Sequence, residues 1–319
     1  MKTTACFAAM LAVLAPAAMA EPLTFAWTPN PQTPQVDVAI AKGYFEDAGL
    51  DMEFVAFRTG REGFEAMLGG QVDITFMAEF PAAVGALTGQ EFSVVADLAR
   101  FTGSRVIVNT ASGAVATPAD LAGKRIGTTI GTNVNFFLDG VLADAGVEAE
   151  IVSAAPPDLV PALARGDVDA IVPFPTFYTA AAETLGDDYG ELRVPGYQVH
   201  YILSASPEMT GARAEELAAF LTALARADAD VQADPEAAMA AVSASLQGAM
   251  SPEDLATMWQ DVDVGLELEQ SLAELLVAEA AWILDQGVIN ADPITLDRML
   301  EHFAFEPLAT AQGSASATQ

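Results

Sequence analysis

AMLGGQVDITF, from Ala66 to Phe76, and ALARGDVDAIV, from Ala162 to Val172, share one design: a helix runs into a glycine, a Val-Asp pair follows, and an apolar strand begins. Gly70 and Gly166 suit the left-handed backbone conformation that ends a helix. The apolar run after each reads as a buried parallel strand. The echo predicts two α/β lobes of related build, with a small-molecule site in the gap between them.

The first twenty residues predict an exported protein. Lys2 supplies a positive start, Ala5 to Ala15 are apolar, and Ala18-Met19-Ala20 places small residues before a cleavage point at Glu21. The apolar stretch is shorter than the roughly 20 residues a membrane-spanning helix needs. A soluble periplasmic product is expected. Cys6 is the one cysteine and leaves with this peptide, which removes disulfides, thiol nucleophiles and Cys-ligated metals. Lys and Arg total 13 against 44 Asp and Glu, a formal charge of −31. Such a chain repels nucleic acid and anionic membranes, so neither is an expected partner.

Around the echo, strands end in loops whose residues are candidate ligand contacts, because open α/β sheets bind ligands beyond the carboxyl ends of their strands. LTFAW (Leu23 to Trp27) reads as a first strand. The proline-dense TPNPQTP (Thr28 to Pro34) follows it, nominating Trp27, Asn30, Gln32 and Thr33. The strand at Val72 to Met77 opens into AEFPAAVG, where Glu79 either faces the cleft or supports the next helix through its dipole. SVVADLA and SRVIVNT then carry the chain into the second lobe. There TTIGTNVNFFLDGVL starts a helix at Gly131, Thr132 and Asn133, whose free backbone N–H groups suit a carboxylate, sulfonate or phosphate; Phe136 lies on that helix. In PFPTFYTAA, Phe174 and Phe177 are rings stiffened by prolines. GYQVHYIL returns the chain, with Tyr201 near the hinge. The remainder reads as a helical scaffold. The expected domains are a signal peptide at 1–20, a first lobe at 21–103 and 204–308, a second lobe at 104–203, and a disordered tail at 309–319. His200 and His302 stand without carboxylate spacing that reads as a metal site, and no motif asks for a cofactor.

The first-strand proline loop, KGYFEDAGLDMEF, GGQVDITF, DLAGKRIGTTIGTN and GDVDAIV occur in an order that resembles the solute-binding proteins of ABC importers in the nitrate, sulfonate and taurine group. The resemblance covers Leu23 to Leu203. It implies an α/β, two-lobed type II periplasmic-binding-protein fold, each lobe a mostly parallel sheet flanked by helices, joined by two crossover segments. It also implies a non-enzymatic receptor that delivers its ligand to an inner-membrane permease, and a monomer is the default expectation. The family's pocket maps onto Trp27 to Thr33, onto Ala78-Glu79-Phe80-Pro81 in place of Gly-Asp-x-Pro, onto Gly131-Thr132-Asn133, and onto Phe174-Pro175-Thr176-Phe177 in place of Trp-acid-Pro-Tyr. A cleft-facing Glu79 favours an amine, whereas the Gly131 to Asn133 turn with Arg58 or Arg105 favours an anion. The reading leans to a small organic solute with an anionic group and an apolar or aromatic body. The other readings are a same-fold enzyme of the pyrimidine synthase type, which relies on a cysteine-rich stretch this chain lacks, and a ligand-sensing partner of a membrane receptor.

Overall fold

The computed structural model describes residues 21–317 apart from 114 and 288; the expected signal peptide lies outside the described residues. Its strands are β1 (Leu23–Ala26), β2 (Met52–Val55), β3 (Ile74–Ala78), β4 (Ser93–Phe101), β5 (Arg105–Asn109), β6 (Arg125–Thr128), β7 (Glu150–Ser153), β8 (Ala170–Val172), β9 (Tyr189–Arg193), β10 (Val199–Ala205) and β11 (Val262–Glu267). They form two sheets, ordered β11-β4-β10-β3-β1-β2 and β7-β6-β8-β5-β9. β1 runs parallel to β2 and β3, as β6 does to β7 and β8. An antiparallel strand then flanks each parallel run, β10 beside β3 and β5 beside β8. The chain crosses between the sheets after β4 and again after β9, which is the expected two-lobed α/β architecture.

The echoed segments therefore feed equivalent strands, β3 and β8, and the reason for their shared residues is visible. Gly70 and Gly166 hold φ of 70° and 78°, the left-handed turn that ends each helix. Val72 and Val168 are buried. Asp73 accepts hydrogen bonds from the Thr24 backbone N–H and hydroxyl, both at 2.8 Å, and Asp169 accepts from the Arg125 backbone N–H at 2.8 Å. Each carboxylate thus fastens the third strand of its lobe's parallel run to the start of the first strand of that run. Hydrogen bonds to a charged acceptor contribute about 1.5–3 kcal/mol. Asp73→Ala and Asp169→Ala are each expected to lower the unfolding free energy by about 1–3 kcal/mol, read from urea midpoints. An effect in one lobe alone would show that the two carboxylates do different jobs.

Both faces of the first sheet are covered. Helices Pro34–Lys42, Ala214–Ala233 and Phe305–Ala317 close over Phe25, Phe45 and Phe220, the last two stacked at 5.3 Å. Helices Gly60–Leu68, Phe80–Leu87 and Gln270–Asp285 cover the other face. In the second lobe, helix Asn133–Ala145 packs on one side of the sheet and helices Leu159–Arg165 and Tyr178–Leu185 on the other. Among the described residues no helix is long and apolar enough to cross a membrane.

The structure departs from the sequence reading in three places. β10 lies wholly in the first sheet, so the return to the first lobe precedes Val199 and does not fall at 203/204. The C-terminal part is not all helix, because Val262–Glu267 pairs antiparallel with β4 as an edge strand. The segment expected to be a disordered tail is helical through Ala317; Leu308, Ala311 and Ala315 form a buried stripe at helical spacing against helix Ala214–Ala233. Small residues here permit close helix contact.

The C-terminal part also spans both lobes. Helix Pro235–Ser245 packs on helix Pro34–Lys42 of the first lobe. Farther on, Asp261 pairs with Arg193 at 2.6 Å and Arg105 at 3.5 Å, both on strands of the second sheet.

A candidate ligand cavity between the lobes

The carboxyl ends of both sheets meet around a cavity of about 380 Å³. From the first lobe come Trp27 to Asn30 after β1, Phe57 to Gly60 after β2, and Phe76 to Ala78 on β3; Tyr201 projects from β10. From the second come Asn133 at the start of its helix and Phe174 to Phe177 after β8, while Leu246 and Ala249 enter from the C-terminal part. Trp27 stacks on Phe25 at 5.8 Å and meets Phe76 edge-on at 4.8 Å, and Phe76 stacks on Tyr201 at 5.9 Å. This run of rings forms a rigid apolar wall. Its loop is pinned too: Asn30 accepts from the Gln32 backbone N–H at 2.8 Å, and the Trp259 indole donates to the Pro31 carbonyl at 2.7 Å.

The polar end is built on helix Asn133–Ala145. The first N–H groups of a helix have no partner within it, and a side chain at the cap position usually takes one up. Thr132 does not, since its hydroxyl donates to the Thr129 carbonyl at 2.7 Å. The Asn135 N–H donates to the Thr132 carbonyl at 3.0 Å, which leaves the amides of Asn133 and Val134 for an acceptor. Arg58 adds a guanidinium to the lining, with Glu62 paired to it at 2.7 Å. Arg105 is remote from this site. It is buried, paired with Glu191 at 2.7 Å, and lies 4.3 Å over the Tyr178 ring.

Of the residues nominated from sequence, Trp27, Asn30, Asn133, Phe174, Phe177 and Tyr201 converge on this cavity. Others are placed elsewhere. Gln32 and Thr33 are fully buried beneath the proline loop. Thr132 is buried by its bond to Thr129. Phe80 and Gly131 line a second interlobe cavity of about 720 Å³ with Arg61 and Trp282. Phe136 packs against Phe80 at 5.6 Å, Trp282 at 5.2 Å and Tyr197 at 5.3 Å, filling the seam between the lobes. Phe57, Phe76, Leu246 and Ala249 escaped the sequence reading.

Glu79 lines neither of these two cavities. It is fully buried, accepts from the Tyr197 hydroxyl, and accepts from the His200 backbone N–H at 2.9 Å. Burial pushes its carboxyl above the usual range, against the lowering effect of the Tyr197 bond. Glu279, also fully buried, is pushed well up by burial and by the charge of Glu79. Burial opposes the charge on His200, but Asp97, at 2.7 Å from its Nδ1, raises that imidazole above its ordinary value. The group ties the β3 end to the second crossover.

Residues 30–238 match the model of the NMT1/THI5-like family, and the chain belongs to that family. A taurine-binding periplasmic protein of Escherichia coli is 27% identical over 164 residues, 50% of each chain, so this chain spans about half the length of that curated relative. The alkanesulfonate-binding protein SsuA of Xanthomonas axonopodis pv. citri, solved with MOPS, superposes with a TM-score of 0.73 at 19% identity, covering 91% of this chain and 100% of that one. The desulfurization enzyme DszB has the same fold at a TM-score of 0.67 and 18% identity, covering 92% of this chain and 99% of its own.

Proposed function

We propose that this NMT1/THI5-like chain is an extracytoplasmic receptor that captures a small organic anion with an apolar or aromatic body between its lobes and delivers it to an ABC import permease. The observation that carries this reading is the pairing, in one cavity, of the uncapped helix start at Asn133 with rings from both lobes. An anionic head accepts from the Asn133 and Val134 amides, and its body lies among Trp27, Phe76, Phe174, Phe177 and Tyr201. Because those groups come from both lobes, the ligand gains all its contacts only when the lobes are together, and this differential binding favours closure. Glu79 is withdrawn from the cavity, which weakens the case for an amine. Among the described lining residues there is no carboxylate, thiol or imidazole, which favours retention of the ligand over chemistry on it. The similarity to a taurine-binding and an alkanesulfonate-binding protein points to sulfonates as the first class to try.

A thermal-shift screen of the protein against sulfonates, carboxylates, aromatic acids, amines and pyrimidines tests this. A ligand at 100 times its dissociation constant adds about 2.7 kcal/mol to stability. Sulfonates or carboxylates with an apolar or aromatic body are expected to raise the midpoint. A response confined to amines, or to none of these classes, would overturn the proposal.

A further inference from the structure

We infer that the turn Leu246–Ala249, in the C-terminal part of the chain, is a size-determining wall of the ligand cavity; this rests on the anion-capture reading above. Leu246 and Ala249 line the same cavity as Phe174, Phe177 and Tyr201. The turn joins helices Pro235–Ser245 and Pro252–Met258 and has a specific backbone geometry. Gln247 has φ of 55°, the one non-glycine residue in the left-handed region among the described residues, and Gly248 follows at 77°. An L side chain there costs roughly 1–2 kcal/mol, so the surroundings must hold it. They do so by identifiable bonds. The Gly248 N–H donates to the Ser243 carbonyl at 2.9 Å, the Ala249 N–H to the Leu246 carbonyl at 3.0 Å, and the Ser243 hydroxyl to the Met250 carbonyl at 2.7 Å.

Immediately after the turn, Met250 is buried in the apolar cluster that contains Leu159 and Tyr178 of the second lobe, and Ser251 with Asp254 forms a reciprocal cap on the next helix. The turn is therefore fixed on both sides. A fixed wall discriminates ligand size in a way that a mobile one does not. Leu246 presents a branched apolar side chain to the cavity, whereas Ala249 leaves space beside it. Neither carries a polar group, so the part of the ligand they meet is its apolar body and not its anionic head.

The test is isothermal titration of the wild type, Leu246→Ala and Ala249→Leu with methane-, butane-, hexane- and octanesulfonate, and with benzenesulfonate. One methylene in an apolar pocket changes binding by about 10- to 200-fold. Leu246→Ala is expected to strengthen binding of the shortest sulfonate that the wild type excludes by about 10-fold, and Ala249→Leu to weaken binding of the longest one it accepts by about 10-fold. Both should leave methanesulfonate within roughly 2-fold of the wild type, since a head-group contact is untouched. Wild type that binds the series, with both variants keeping its length profile, overturns the wall and leaves anion capture standing. Wild type that binds neither this series nor the carboxylates of the same lengths, run alongside it, overturns both. Melting of each unliganded variant shows that a changed profile does not come from unfolding.

Discussion

Glu79→Ala is expected to lower the unfolding free energy by about 3–5 kcal/mol, the loss typical of breaking one side of a buried charged network. The Tyr197 hydroxyl and the His200 N–H both donate to this carboxylate inside the protein. Alanine would leave both donors buried without an acceptor, each at a cost of about 1–3 kcal/mol. Glu279→Gln serves as the contrasting variant. Glutamine keeps the shape of the side chain and cannot ionise. Because Glu279 is held above its ordinary value in the folded state, the wild type loses stability as pH rises from the unfolded carboxylate range toward the folded value. The glutamine variant should therefore equal the wild type at low pH and gain on it as pH rises. Urea unfolding of all three proteins from pH 5 to pH 9 reads both effects. A Glu79→Ala variant within about 1 kcal/mol of the wild type would show that the network holds nothing together.

Asp37→Asn should stabilise the protein above neutral pH by about 2–4 kcal/mol. Asp37 is buried in helix Pro34–Lys42, and burial raises its carboxyl to about 7, with Ser245 offsetting this only in part. An unfolded aspartate titrates near 3.9. Between those two values the folded protein binds the proton that the unfolded chain has lost, so stability falls as pH climbs, and the full penalty remains above the folded value. Asparagine removes the penalty. The difference between the two proteins should grow from near zero around pH 4 to its maximum by about pH 8. A difference that stays constant across that range would mean that ionisation of Asp37 is not its source.

The fold was legible because its deciding features are local. A left-handed glycine, a buried valine and an aspartate tied to the leading strand of the parallel run sit within a few residues of one another, and the chain repeats them. Trp27, Asn30, Asn133, Phe174 and Phe177 were legible for a related reason, since a strand's carboxyl end locates them without knowledge of their neighbours. Long-range contacts hid the rest. Glu79 sits at such an end, yet Tyr197 and His200, far along the chain, draw it inward. Gln32 and Thr33 belong to the right loop, but the loop folds so that both are covered. Leu246 and Ala249 reach the cavity only because the C-terminal part lies across both lobes. Nothing in LQGAM marks that placement beyond its Gln-Gly turn.

The matching carboxylate ties of β3 and β8 give the molecule two jaws cut to one pattern, and matched jaws cannot by themselves tell the head of a guest from its tail. In the capture proposed above, orientation has to be imposed by linings that differ between the jaws: the helix start at Asn133 for the head, and the proline stretch after β1 with the turn contributed by the C-terminal part for the body. Efforts to retune what is gripped belong on those unpaired linings. Changes to the duplicated framework would weaken the grip without redirecting it.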